Sequence, residues 1–244
     1  MKIEFPAVFP VIHPVSEDVA LRSIAIAIEA GAAGVFLIDQ GMPAARMLDL
    51  TERVSKLYPQ TPVGVNLLRL DPAAAIQAMR QAGARMLWSD QAPTSSARER
   101  EDYRLARQAN GWDGWDFFFG GVAFKYREPV PRDRIPAAIQ DARCQPAVVD
   151  VVTTSGDATG SPPDLAKIDI FRRTLGAHEP LAVASGMTPD NVVSHVDAGV
   201  DAFLVASGIE SSFGHLDPKK TSDFVARVRD RARSGRSISL PDAP

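Results

Sequence analysis

Residues 180–208 read PLAVASGMTPDNVVSHVDAGVDAFLVASG. An apolar run ending in Ser185-Gly186 passes into a segment of helical period, which exits through Asp197-Ala198-Gly199-Val200 into a second apolar run ending in Ser207-Gly208. Short β-branched runs bounded by turn residues read as strands, and a 3.6-residue period reads as helix, so this stretch predicts two parallel strands joined by a helix. The same unit recurs in both directions along the chain. Strand candidates are 7–13, 34–39, 62–68, 85–90, 115–124, 147–154, 180–186 and 202–208. Each is followed by a helical stretch: 16–30, 43–57, 71–82, 96–109, 132–142, 164–175, 189–198 and 218–233. Eight such units in 244 residues predict an α/β chain folded as a single (β/α)₈ TIM barrel over residues 1–233, followed by a mobile tail at 234–244.

Boundary chemistry supports the count. Ser16 precedes Glu17-Asp18, and Asp71-Pro72 and Asp217-Pro218 pair a capping side chain with proline at the first turn; Thr188-Pro189-Asp190 repeats the device. The exits Glu29-Ala30-Gly31, Gln81-Ala82-Gly83 and Asp197-Ala198-Gly199 each place glycine where a left-handed helix terminus is needed before the next strand.

Composition narrows the partners. Hydrophobic residues at 45% and charged residues at 23% are ordinary for a globular chain and argue against disorder or a fibrous architecture. A net charge of -3 with no dense Lys/Arg run supplies no footprint for a nucleic-acid backbone, so a small molecule is the expected partner. Cys144 is the single cysteine, which excludes an intrachain disulfide or a CxxC zinc pair and fits a reducing compartment. Met1-Lys2-Ile3-Glu4-Phe5-Pro6 runs straight into a strand without the parts of a signal peptide, and a cytoplasmic location is expected. No run reaches the roughly 20 apolar residues of a membrane span. Self-association into a homo-oligomer is left open.

In a β/α barrel the strand C-termini and the loops after them face the active site. That rule selects His13 after strand one, Asp39-Gln40 after strand two, Asn66 in strand three, Asp90 after strand four and Lys125 after strand five. Asp150 lies in strand six, directed either at the site or at the barrel wall. His178 and His195 fall away from the site, leaving His13 and His215. The catalytic candidates are therefore Asp39, Asp90, Lys125 and His13. The carboxylates could serve acid–base chemistry or simply anchor loops, and Lys125 could be an electrostatic anchor, a base, a Schiff-base amine or an exposed loop lysine. Gly120-Gly121 inside strand five marks either a bulge or room for a ligand. No metal-ligand motif such as HExxH occurs, and neither metal nor cofactor is expected.

The clearest constellation is Ser185-Gly186 with Asn191 after strand seven and Ser207-Gly208 after strand eight. Glycine lets backbone approach a ligand, free N–H groups donate to phosphate oxygens, and a helix N-terminus adds a favourable dipole. The bland alternative is that these glycines only close tight turns. The loop 153–163, with Thr154, Gly156, Thr159 and Gly160, reads as a lid that supplies further donors to phosphate, or as a surface loop.

Three segments carry a family resemblance: Asp150-Val151-Val152-Thr153-Thr154-Ser155-Gly156-Asp157-Ala158-Thr159-Gly160-Ser161-Pro162-Pro163-Asp164-Leu165, Ala184-Ser185-Gly186-Met187-Thr188-Pro189-Asp190-Asn191-Val192, and Ala206-Ser207-Gly208. They resemble the BtpA/SgcQ family, barrels similar to the ribulose-phosphate-binding barrels. The resemblance implies a phosphate grip at the paired SG loops and, for one branch of the family, a part in photosystem biogenesis. It leaves three functions in play. The first is an enzyme of isomerase or lyase type acting on a phosphorylated sugar or nucleotide-like molecule. The second is a ribosyl glycosidic-bond hydrolase or transferase, with Asp39 or Asp90 beside an oxocarbenium-like centre. The third is a non-catalytic phosphate-ligand-binding assembly or biogenesis factor.

Overall fold

Eight parallel strands, hydrogen-bonded in chain order, close into a barrel: β1 (Ala7–Ile12), β2 (Val35–Ile38), β3 (Val63–Asn66), β4 (Met86–Ser89), β5 (Phe117–Gly121), β6 (Val151–Thr154), β7 (Leu181–Ala184) and β8 (Ala202–Val205). Closure is made by β1 against β8, in register from Ala7↔Ala202 to Pro10↔Val205. The computed structural model describes residues 3–239 except 94–95, 114–115, 145–148, 177 and 234–237. Parts of the expected fifth and sixth strands, at 115 and 147–148, lie outside the described residues. The outer helices are α1 (Glu17–Glu29), α2 (Ala44–Leu57), α3 (Pro72–Gln81), α4 (Ala97–Ala109), α5 (Ile135–Ala142), α6 (Leu165–Thr174), α7 (Val192–Asp197) and α8 (Pro218–Arg233).

Side-chain caps explain several of the starts. The side chains of Ser16, Asp71, Ser96 and Asp164 accept from the N–H groups of Val19, Ala74, Glu99 and Lys167, satisfying donors that a helix start leaves unpaired. Gly31, Gly83 and Gly199, at the exits, all have left-handed φ. Helix seven departs from expectation. It begins at Val192 rather than near Pro189; the turn before it is closed by the Thr188 N–H donating to Asn191 Oδ1 at 2.9 Å and by the Val192 N–H donating to the Thr188 carbonyl at 3.1 Å.

Alternation along each strand sorts the core into two layers. Phe9, Phe36, Trp88 and Phe119 fill the barrel interior, while Val8, Leu37, Leu87 and Phe118 pack outward against helices. The interior rings meet edge to face, Phe36–Phe119 at 5.2 Å, Phe9–Phe119 at 5.5 Å and Phe36–Trp88 at 6.1 Å, each worth about 0.5–1.5 kcal/mol beyond burial. The barrel is a packed core, and its aromatic column ends upward at Trp88 against Phe124.

The N-terminal ends of the strands carry ion-pair braces. Asp116, before β5, meets Arg80 at 2.9 Å and Arg85 at 2.8 Å; Asp201, before β8, meets Arg172 at 2.7 Å. Asp150 belongs to this set: it precedes β6, meets Arg107 of α4 at 3.2 Å and accepts from the Phe118 N–H at 2.8 Å. It braces the outer wall at the end opposite the strand C-termini. Ile238–Ser239 pair antiparallel with Glu4–Phe5. The remainder of the expected mobile tail, 234–237 and 240–244, lies outside the described residues.

Candidate active site

A cavity of about 420 Å³ opens at the strand C-termini, within the 300–1,000 Å³ range of small-molecule sites. Of the catalytic candidates it brings together His13, Asp90 and Lys125; of the expected phosphate residues it gathers Thr159, Gly160, Ser185, Gly186, Ser207 and Gly208. Asp39, Thr154, Gly156 and Asn191 are not among its lining residues. Asp39 Oδ1 instead accepts from the Leu68 N–H at 2.9 Å, linking the loops after β2 and β3, and its neighbour Gln40 reaches the cavity. Thr154 is fully buried and donates to the Ala123 carbonyl at 3.4 Å. His215 is exposed and also stands outside the lining.

Asp90 and Lys125 form the polar wall over β4 and β5. Burial pushes the Asp90 carboxyl above the usual carboxylate value, opposed by a hydrogen bond from Asn66 Nδ2 at 3.2 Å and by the charges of Arg127 and Lys125. Burial likewise pulls the Lys125 ammonium below its usual value, opposed by Asp90. The placement of Asp90 depends on Gly121. A Cβ there would meet the Asp90 carbonyl oxygen at 2.1 Å, and the same turn is held by the Ala92 N–H donating to the Gly121 carbonyl at 2.8 Å. The glycine in strand five is thus neither a bulge nor a ligand gap: it admits the backbone of the loop after β4.

The opposite wall comes from a segment in which the sequence singled out only His215. After β8 the chain forms a short hairpin, Glu210–Ser212 against His215–Leu216, before α8 begins. It brings Glu210 Oε1 within 3.1 Å of His13 Nδ1 and stacks Phe213 against the His13 ring at 4.6 Å. Glu210 is buried, and the same oxygen accepts from the Gly214 N–H at 3.1 Å.

At the β7 and β8 end the loops lock to one another. Ser185, with φ +119°, donates its hydroxyl to the carbonyls of Ala158 at 2.9 Å and Ser161 at 3.1 Å, tying down the loop after β6. Asn191 braces the turn internally, donating to the Gly186 carbonyl at 2.9 Å. Gly208 lies so close to the β7 loop that a Cβ would fall 1.8 Å from the Met187 carbonyl. Among the described residues no group accepts from the backbone N–H of Gly186, Ser207 or Gly208. Lys167 of α6, also missed in the sequence, donates to the Ala123 and Ser155 carbonyls, both at 2.7 Å, and fastens the loops after β5 and β6 together. Burial lowers its ammonium below the usual value.

Val11, Ile38, Leu68, Trp88, Met187 and Phe213 supply apolar parts of the lining. Trp88 is buried, and its Nε1–H has no acceptor among the described residues; such an unmet donor ordinarily costs about 1–3 kcal/mol. Leu68, Tyr126 and Phe213 stand exposed at the rim. Among the described residues no group of three His, Cys, Asp or Glu could hold a metal ion, and no helix is long and apolar enough to cross a membrane.

Fold and cavity together define the class: a single (β/α)₈ barrel with a ligand-sized cavity where the strands end. Residues 41–230 match the BtpA family, and the chain belongs to it. It is 25% identical over 216 residues to the Photosystem I biogenesis protein BtpA of Synechocystis sp., covering 85% of this chain and 74% of that one. A shorter stretch of 95 residues is 36% identical to the N-(5'-phosphoribosyl)anthranilate isomerase of Methanothrix thermoacetophila, covering 38% of this chain and 44% of that protein. The solved phosphoribosyl anthranilate isomerase of Thermotoga maritima shares the fold, with a TM-score of 0.67 at 16% identity over 91% of this chain and 99% of that one.

Proposed function

We propose that the protein is an enzyme that acts on a phosphorylated sugar or nucleotide-like small molecule by acid–base chemistry of isomerase or lyase type. One observation carries the reading: Gly186, Ser207 and Gly208, whose backbone N–H groups have no acceptor among the described residues, line the same cavity as Asp90, Lys125 and His13. Oriented N–H groups in a concave turn are the usual protein answer to phosphate, and the ends of the seventh and eighth strands are where barrels commonly hold it. Burial moves Asp90 and Lys125 toward each other in acidity, as proton transfer near neutral pH requires. The isomerase relatives, named for a phosphoribosyl substrate, add support.

A second reading draws on the relative named as a photosystem I biogenesis protein: a factor that binds a phosphorylated ligand without turning it over. Product analysis over phosphosugar and nucleotide panels separates the two. The enzyme reading expects conversion of at least one compound, a loss of about 100-fold or more in D90N with binding retained, and loss of binding in S207D, where a carboxylate repels phosphate. Binding without conversion across the panel would favour the factor.

A further inference from the structure

Lys125 is the one lysine or arginine among the described lining residues of the cavity, and the loop after β5 holds it in place. Its own N–H donates to Ser155 Oγ at 2.8 Å, and two residues earlier the Ala123 carbonyl accepts from Lys167 Nζ at 2.7 Å. Ala123 and Tyr126, neither of them glycine, hold left-handed φ of +49° and +60°, backbone strain of the kind that clusters at active sites and ligand clamps. The side chain is aimed inward. Nζ lies 5.8 Å from the ring centre of Phe124, which belongs to the interior layer of the barrel and packs on Trp88. Among the described residues no carboxylate pairs with Nζ and no acceptor hydrogen-bonds to it. An ammonium that serves as an anion anchor is kept charged, whereas burial here favours the neutral amine and, in Asp90, whose charge reaches it, the neutral acid. The N–H groups proposed for phosphate stand at the ends of β7 and β8, so Lys125 after β5 meets another part of the ligand.

Resting on the reading of an acid–base enzyme for phosphosugars, we infer that Lys125 Nζ forms an imine with a carbonyl carbon of the open-chain ligand, with Asp90 as the acid that releases water. The substrate class becomes a phosphosugar that presents a free ketone or aldehyde. The step balances within the cavity. The Nζ lone pair forms the C–N bond as the C=O bond breaks, and one proton from Nζ and one from the Asp90 carboxyl leave with the oxygen as water. A protonated imine and an Asp90 carboxylate remain, one positive charge against one negative. Such an imine draws electrons from the neighbouring carbon, and the carboxylate is the base that takes the proton released there. Isomerase and lyase chemistry both begin from that state.

Peptide mapping by mass spectrometry, after treatment of the full chain with ribulose 5-phosphate and sodium cyanoborohydride, tests this, with calorimetric titration of the same compound alongside. Ribulose 5-phosphate stays an open-chain ketone because the hydroxyl that would close its ring carries the phosphate. One reduced adduct should form, at Lys125, slowed by inorganic phosphate and absent from K125R. D90N should form it about 100-fold more slowly, a loss that a purely structural role for Asp90 would not produce in a chain that still binds the compound. Binding without an adduct, or labelling that spreads over Lys167 and the surface lysines at the rate of Lys125, would overturn the imine and leave the phosphate site standing. An adduct at Lys125 that inorganic phosphate does not slow would keep the imine and remove the phosphate reading. If ribulose 5-phosphate does not bind, the two fall together.

Discussion

Asp90 and Lys125 are displaced from their usual acidities by one cause, burial at the cavity wall, acting in opposite directions on an acid and a base. For Asp90 the consequence for stability has a definite sign. Its folded-state value is raised, so the folded protein holds the proton more tightly than the unfolded chain, and stability falls as pH rises from the ordinary 3.8 toward the raised value. D90N removes that penalty while Asn66 can still donate to the new amide oxygen. The variant should therefore melt higher than wild type at neutral pH, by about 2–4 °C per kcal/mol recovered, and show no such gain below pH 3.8. Thermal unfolding at the two pH values checks this, and a lower melting point at neutral pH would contradict it. Asp90 was legible as a candidate because it ends a strand. Asp39 carried the same signal, yet its carboxylate holds the Leu68 N–H; position at a strand end cannot separate a loop anchor from a cavity group.

At the level of elements, loops are set by where one backbone may touch another. The loop after β4 lies on Gly121 of β5, and G121A would drive a methyl into the Asp90 carbonyl. Overpacking of this kind costs about 1–3 kcal/mol. G121A should lose stability by that amount in urea unfolding and slow turnover because Asp90 moves; an unperturbed variant would show that the loop yields freely. The strands and helices themselves were readable, since periodicity, caps and glycine exits report local preferences. The Glu210–Leu216 hairpin was not. Its strands are too short to show alternation, and Glu210 and Phe213 matter only because β8 closes onto β1 beside His13. Helix seven starts at Val192, later than the Thr188-Pro189-Asp190 signal predicts, and the Asn191 side chain ties the Thr188 N–H and the Gly186 carbonyl in the turn before it.

Across the whole molecule the barrel divides its labour between two ends. Braces at the strand N-termini hold the wall: Arg172 alone reaches Asp201, Gly199, Gly176 and Glu179 at 2.7, 3.1, 3.4 and 2.8 Å. R172M takes the guanidinium from a buried carboxylate and should cost about 3–5 kcal/mol by chemical denaturation; a change near zero would mean that the brace is dispensable. None of these braces lines the cavity, which is assembled from all eight strand ends and the loops beyond them. In the proposed function, phosphate is held where β7 and β8 end. Backbone amide NMR during titration with ribose 5-phosphate tests it most directly. Saturable shifts concentrated at the Gly186, Ser207 and Gly208 amides are predicted, and binding that leaves those three unmoved while shifting amides elsewhere would contradict it.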